Sequence, residues 1–337
     1  MEDILRLIAV TTPTGASTHQ ENDFGMLLEP KLRKVFYDTY NEVPEQYSKI
    51  YNVKTSKKAK ETDYGLGAFR PWKKFGNSMS TIADADNMPT VEYQKIHPGL
   101  ERTYIHEEYA SGFMVERKFI DDEQYDVIMK LPKDHARAGR YKVEQDAVSL
   151  FNDALVETPT ATIYDGEPLF SHNHPLVETT EVKGDNLIEG TLTAENLEKA
   201  LLLAKKQKDE AGKLIVMNFD TIVVPPALEN TARTLLQSTL VTGSDYNDIN
   251  VLKGKLNIIV WDFLEKDDAC FIMDSKNHQA NFFWRVKPQF NREKDFDSFV
   301  QKYNGYMRYS FGVSDWRGLI AIKPTEEDLP TEEDLPT

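Results

Sequence analysis

The chain has 337 residues, 40% of them hydrophobic and 28% charged, with 55 acids against 40 bases and a net charge of −15. That length suffices for about two domains and a sizeable core, and the acidity argues against a dedicated nucleic-acid binder, which must neutralise phosphates. No apolar run reaches the roughly 18 residues that a bilayer demands, and the single Cys270 excludes a disulfide framework or a thiolate zinc cluster.

The N-terminal stretch MEDILRLIAVTTPTG carries acids where a signal peptide carries lysines, and Arg6 breaks its apolar run. It does not read as a secretory leader, and synthesis inside the cell is expected. Residues 22–47 read as a partly amphipathic helix ending at Pro44, followed by the polar KTSKKAKETDYG. With so little core-forming density, the first 63 residues read as an arm that needs another surface.

From Met88 to Ile120, β-branched and aromatic residues alternate with charges, and Pro98-Gly99 marks a turn. Two long antiparallel strands are expected, polar on both faces. An isolated two-stranded ribbon is marginal, so this one is expected to lie on another subunit. Asp121-Asp122 then open a helical region, which Pro132 is expected to interrupt. A longer helix follows to about Val156, its buried face marked by Ala136, Val143, Ala147, Leu150, Phe151 and Ala154.

Further on, Thr193 caps a helix expected to run to about Ala211 and stop at Gly212. KLIVMNFDTIVV reads as strand, turn and strand, and Pro226 opens the next helix. Short strands are expected at KLNIIVWDF, ACFIMD and NFFWRVKP, and two more around Gly312 in YNGYMRYSFGVSDWRGLIAIKP. Cys270 sits among apolar neighbours as a small buried strand residue. The class is α+β. The final PTEEDLPTEEDLPT has no packable face, and its prolines oppose helix, so a disordered tail is expected there.

The residues that invite a chemical reading are His172 and His174 in EPLFSHNHP. In an extended segment they would point the same way and could share a zinc ion. A third ligand has no obvious source: His19, His97, His106, His135 and His278 are scattered, and neither H-E-x-x-H nor a cysteine pair occurs. YGLGAFR has Arg70 where a phosphate loop needs its third glycine, and DADNMP puts Met88 and Pro89 where a calcium loop needs a ligand and a glycine. Lys54, Lys57, Lys58 and Lys60 read as a solvated basic face. No nucleophile has a recognisable setting. The expectation is a protein that is not an enzyme, with no catalytic, cofactor-binding or metal residues and no cofactor.

Several segments resemble a known family. VERKFIDDEQYDVI is similar to the entry into the spine helix of the major head (major capsid) subunits of phage Mu and Mu-like prophages. YDGEPLFSHNHP resembles their D-G-x-P-L-F-S-x-x-H loop, and KDEAGKLIVMNFDTIVVPPALENTARTLLQS their segment ending L-V-V-P-P-x-L-E-x-x-A. That family often has proline before the aspartate of this segment, where this chain has Asn218-Phe219-Asp220. GVSDWRGLIAIKP also matches in character, and the likeness runs from about residue 110 to 323.

The resemblance implies the Hong Kong 97-like fold of tailed-phage capsid proteins. It divides the chain into an N-terminal arm (1–64), an extended β-ribbon (65–120), a peripheral domain with the spine helix (121–190 and 291–323) and a central axial α/β domain (191–290), while the disordered acidic tail (324–337), read from composition, has no counterpart in the family. It implies a structural protein that self-assembles through pentamers and hexamers into an icosahedral head shell of a bacteriophage or prophage. The implied partners are further copies of the chain, portal and scaffolding proteins during assembly, and packaged double-stranded DNA as non-specific contents, with no membrane. Residence in the virion, after assembly in the host bacterial cytoplasm, goes with this. In that family the D-G-x-P-L-F-S loop is structural: Asp165-Gly166 would turn, Leu169 and Phe170 would pin it to the core, and the histidines would hydrogen-bond locally. Two alternatives are a bacterial nanocompartment shell, which shares the fold but encloses protein, and a metal-dependent hydrolase using His172 and His174.

Overall fold

The computed structural model describes residues 20–67, 100–122, 124–156, 158–176, 179–240, 249–294 and 300–324. The expected elements at 1–19, the ribbon stretch 68–99 with its Pro98-Gly99 turn, His19, His97, Met88, Pro89 and the acidic tail from 325 lie outside them. The chain forms two compact units, one of Met1–Pro44, Ala110–Tyr141 and Pro288–Tyr306, the other of Glu45–Tyr109, Lys142–Lys287 and Met307–Thr337.

The second unit is organised by a five-stranded sheet in the order β7-β13-β10-β8-β9. Its strands are β7 (Leu187–Glu189), β8 (Thr221–Val224), β9 (Asn257–Val260), β10 (Cys270–Met273) and β13 (Leu319–Lys323). β10 is antiparallel to both neighbours, while β7 runs parallel to β13 and β9 parallel to β8. TIVV and CFIM are buried throughout because both sheet faces are covered. Phe271, Met273, Val223, Leu319 and Ala321 point to one side, where Val143, Ala147, Phe151 and Ala154 of α3 (Tyr125–Leu155) pack. Cys270, Ile272, Ile222, Val224, Ile320 and Ile322 point to the other, against Leu197, Ala200 and Ala204 of α4 (Ala194–Ala204) and Ala232 and Leu236 of α5 (Glu229–Gln237).

In the first unit, α1 (Gln20–Glu42) places Leu32, Phe36 and Tyr40 at helical spacing in a core with Val115, Ile128, Ala136, Phe290 and Tyr303. The expected arm therefore has more core than its sequence suggested. Tyr47, Ile50 and Tyr51 are likewise buried, in the core of the second unit. The buried Glu144 carboxylate accepts Gln46 N–H at 2.8 Å and Tyr47 N–H at 3.0 Å, holding this segment in place. KTSKKAKETDYG carries strands: β1 (Asn52–Thr55) runs parallel to β11 (Ala280–Lys294), and β2 (Lys60–Tyr64) pairs antiparallel with β3 (Glu101–Ile105). Among the described residues, the ribbon's returning strand thus pairs with a segment read as arm. It is also anchored in its own unit: Tyr104 is buried against Phe283, its hydroxyl meets Ser314 Oγ, and Arg102 donates to Val313 O at 3.2 Å.

Other expectations shift for local reasons. Helix begins before Asp121-Asp122, as α2 (Arg117–Asp121), and the two acids lie at its end. Pro132 does not interrupt α3, which runs unbroken for 31 residues. A helix-interior proline loses one N–H and crowds the preceding turn, but Ile128 and Ala136, a turn before and after it, are buried and hold the helix together. Thr193 does cap α4, accepting Asn196 N–H at 3.2 Å, yet α4 stops at Ala204. Beyond it Asp209 takes the N–H groups of Ala211 and Lys213 at 3.0 and 2.7 Å, a side-chain alternative to helix that turns the chain back. KLIVMNF makes only an isolated bridge, Leu214 to Lys208, and only TIVV is a strand. The last connection is at Ser314–Gly318 rather than Gly312, which lies inside β12 (Val300–Val313) beside β4 (Glu107–Glu116) and β11.

Phe271 is fully buried in β10 and stacks on Phe151 at 4.7 Å. Phe271→Ala is expected to cost about 3–5 kcal/mol of unfolding free energy, measured by urea denaturation of the soluble subunit. Val216→Ala, at a residue 87% exposed, is expected to stay within about 0.5 kcal/mol of the parent.

Candidate functional site

The histidine loop sits on the face of the main core. Gly166, at φ 86°, turns the chain after Asp165, a conformation that favours glycine. Ile163 N–H donates to Glu167 O at 2.8 Å to close that turn. Leu169 and Phe170 are then buried among Phe151, Phe271 and their neighbours. After Phe170 the chain enters a short hairpin of β5 (His174–Leu176) and β6 (Thr179–Gly184).

The two histidines diverge. His172 is 43% exposed at its side chain, with Nδ1 3.0 Å from Asp185 and Nε2 3.5 Å from Glu189. His174 has no exposed surface. Its Nδ1 lies 2.7 Å from Asp165 Oδ2 and its Nε2 3.0 Å from Asn186 Oδ1. The Asn186 amide is fixed in that orientation because its Nδ2 donates to Leu169 O and Leu319 O. Both His174 nitrogens are therefore engaged by protein side chains, which leaves neither of them open to a metal. Among the described residues no group of three or more His, Cys, Asp or Glu side chains is placed to hold a metal ion.

The His174 ring stacks on Trp316 at 4.3 Å and 8°. Gly184 is required there, since a Cβ would stand 2.2 Å from the indole. Trp316 in turn lies under the Arg317 guanidinium, 4.8 Å from ring centre to Cζ. Arg317 is completely buried, with Nη1 2.8 Å from Asp315, Nη2 2.7 Å from Glu210 and Nε donating to Lys208 O at 2.7 Å. Burial works against its charge, but Asp315, then Tyr164 and Glu210, hold its pKa above the ordinary arginine value. Asp315 also accepts the N–H groups of Leu66 and Arg317. Asp165, His174, Asn186, Trp316, Asp315, Arg317 and Glu210 thus form one connected buried cluster beside the loop. Sequence reasoning found its histidine end but missed Asn186, Arg317 and Glu210. The only signal was the Asp-Trp-Arg-Gly run, whose Glu210 partner is 107 positions away.

Most of the remaining candidates also have local partners. His106 bridges Ser310 Oγ at 2.9 Å and Ser56 Oγ at 3.3 Å, and burial lowers its pKa. His135 lies beside Phe36 and Phe113. Cys270 is buried in β10, where burial pushes its thiol up to about 12, as its apolar neighbours suggested. Lys54, Lys57, Lys58 and Lys60 are exposed; Lys54 lies over Phe283 and Lys58 pairs with Glu61. Gly65 and Gly67 lie in the connection after β2. In the groove lined by Gln145, Ser149, Asn152, Asp262 and Glu265, Asn152 donates to Phe263 O and accepts Glu265 N–H, so it serves to hold a turn.

Two outcomes follow. His174→Ala would remove the imidazole between Asp165 and Asn186 and empty the stack on Trp316. It is expected to lower stability by about 2–4 kcal/mol, against less than about 0.5 kcal/mol for His172→Ala, measured by denaturant titration. The second concerns acid. Burial lowers His278 to about 4 from 6.5, and its Nδ1 accepts Ala280 N–H, which a protonated ring cannot do. The unfolded chain therefore takes up this proton first, so stability is full above about pH 6.5 and falls as the pH drops toward 4. A loss on the order of 2 kcal/mol from this group is expected between pH 7 and 5. His278→Asn, which keeps an acceptor, should flatten that part of the profile.

Comparison with known proteins bears on the whole arrangement. Residues 101–322 match the phage capsid protein family. Over 77 residues the chain is 35% identical to the major capsid protein of Escherichia phage Mu, a stretch that is 23% of this chain and 25% of the relative. The chain thus aligns with about a quarter of that curated relative's length. A solved chain from Microbacterium phage Oxtober96 superposes with a TM-score of 0.51 at 10% identity, covering 96% of this chain and 98% of that one. One from the capsid of an empty GTA particle gives 0.50 at 11%, covering 83% and 89%. At such identities the likeness is one of fold, and the fold is the expected α+β, Hong Kong 97-like one. Running from β3 through α3 and the five-stranded sheet to the last strand, the match places this chain in the phage capsid protein family.

Proposed function

We propose that the chain is the major subunit of an icosahedral head shell, assembling through pentamers and hexamers of itself into the capsid of a tailed phage or prophage. The observation that carries this is the family match over residues 101–322, which takes in the central sheet and its helices. The likeness to a subunit of the capsid of an empty GTA particle supports self-assembly. The layout of arm, ribbon, peripheral domain, axial domain and acidic tail set out from the sequence belongs to this proposal. So do double-stranded DNA as contents, portal and scaffolding proteins as assembly partners, and the host cytoplasm as the place of assembly. No helix among the described residues is long and apolar enough to cross a membrane.

The proposal assigns no catalytic, cofactor or metal role to any residue. His174, committed to Asp165 and Asn186, supports that assignment over a hydrolase. A net charge of −15 suits a shell interior, because like charge keeps packaged DNA from adhering. Repeated weak contacts between identical copies give closed symmetry.

The test is electron microscopy of the purified product beside circular dichroism of the soluble subunit. Closed shells are expected from the parent chain. Shortening the ribbon around Pro98-Gly99 is expected to leave the dichroism and melting of the body intact and to abolish closure. Normal shells from the shortened chain would defeat the bridging role of the ribbon. Particles filled with protein cargo would replace the phage head by a nanocompartment, and a strictly monomeric parent under all salts would defeat the shell itself.

A further inference from the structure

The turn that follows α4 carries an unusual charge for so acidic a chain. Lys205, Lys206, Lys208 and Lys213 are all exposed, and Lys205, Lys206 and Lys208 enter no ion pair among the described residues. The two acids of the same turn are buried and committed. Glu210 holds Arg317, and Asp209 accepts the N–H groups of Ala211 and Lys213. What the turn offers to solvent is therefore almost purely cationic. Beside those lysines in sequence stand exposed aliphatic side chains: Leu202 (53%), Leu214 (65%) and Val216 (87%).

The chain also contains a segment of complementary design. Residues 325–337 read TEEDLPTEEDLPT, two copies of three acids followed by a leucine. They lie outside the described residues, but the point from which they leave is well placed. β13 ends at Lys323, whose carbonyl accepts Gly190 N–H at 2.9 Å, just ahead of the Thr193 cap of α4. α4 packs on β13 and has 11 residues, so its far end, where the lysines stand, is roughly 16 Å further on at 1.5 Å per residue. An extended chain gains about 3.3–3.6 Å per residue, so Glu326, Glu327 and Asp328 come close to that end and Glu332, Glu333 and Asp334 reach it with slack.

We propose that the acidic repeat docks on the lysine turn of its own chain, acids against Lys205, Lys206, Lys208 and Lys213, with Leu329 or Leu335 against the exposed aliphatics. Tethering keeps the local concentration of the repeat high, so contacts that are individually weak suffice. The contact shields this cationic turn from other polyanions. It depends on salt, because exposed charges are screened.

The experiment is carbodiimide coupling on the purified full-length chain, which joins a carboxylate to an amine only when they touch, followed by peptide mapping. Amides between residues 326–334 and Lys205, Lys206, Lys208 or Lys213 are expected at low salt. They should fall at least about fivefold near 0.5 M salt, where screening length drops to roughly 4 Å. An equimolar mixture of unlabelled and nitrogen-15 chains distinguishes the tether from exchange: single-label products are expected, and mixed-label products would overturn docking within one chain. Equal coupling to Lys54, Lys57, Lys58 and Lys60 would overturn the choice of surface. Replacing Lys205, Lys206 and Lys208 together by Gln is expected to leave melting unchanged and reduce coupling at Lys213 as well, since that lysine keeps its amine but loses the cluster that captures the repeat. Undiminished coupling at Lys213 would overturn the cooperative clasp.

Discussion

A guanidinium with no contact with water must find an acceptor for its charge and its N–H groups, or the fold cannot keep it. Arg317 meets that constraint with Asp315, Glu210 and the Lys208 carbonyl, and much of the second unit is arranged around the need. The turn after α4 must come back far enough to deliver Glu210 and Lys208. The connection between β12 and β13 must be short and sharp enough to set Asp315 two residues before the arginine. Trp316, between them, is held where it meets His174, and so the histidine loop takes its place. Removing one partner would strand a buried charge, a loss typically larger than the net worth of the pair.

The same constraint explains which parts of the structure were legible in the sequence. Where burial is symmetrical, the signal is plain. CFIM and TIVV read as strands because each side chain has an apolar layer to enter, and the α3 face marked by Val143, Ala147, Phe151 and Ala154 reads as one stripe. The roles of Asp165-Gly166 and Leu169-Phe170 in the D-G-x-P-L-F-S loop came from the family resemblance, and the residues agree with it, Gly166 turning at φ 86° and Leu169 and Phe170 entering the core. Where order depends on a distant partner, the signal fades. Glu144 looks like any solvated helix acid, yet it receives two N–H groups from a segment 97 and 98 positions away. Tyr47, Ile50 and Tyr51 do stand at helical spacing, i, i+3 and i+4, but a single turn is too short a pattern to read, so their burial was missed. Pro132 and the early end of α4 misled for a related reason. Propensity sees the proline and the alanines, while the outcome was decided by buried neighbours in one case and by the Asp209 carboxylate in the other.

For the shell role proposed above, this distribution of polar groups is informative. The histidine, arginine and carboxylate side chains that would ordinarily advertise an active site are used to join strands, loops and turns, with their hydrogen-bonding capacity turned inward. A subunit that must meet copies of itself in many equivalent settings benefits from a body whose internal geometry is over-determined, so that variation is confined to the surfaces it shares. Buried charge networks are costly to assemble but give that kind of uniqueness.

Cys270 supplies a practical corollary. It is the chain's single thiol, enclosed in the middle strand of the sheet with its ionisation suppressed by burial, and thiolate is the form that reacts. The native subunit therefore behaves toward alkylating dyes and maleimides as though it had no cysteine. A cysteine introduced at any exposed position becomes a unique chemical handle, without replacement of the natural one and without disturbing the sheet that holds it. Fluorophores, spin labels or cross-linkers can be placed one at a time on arm, ribbon or turn, and the silent thiol becomes reactive only when the central sheet opens, reporting unfolding in the same sample.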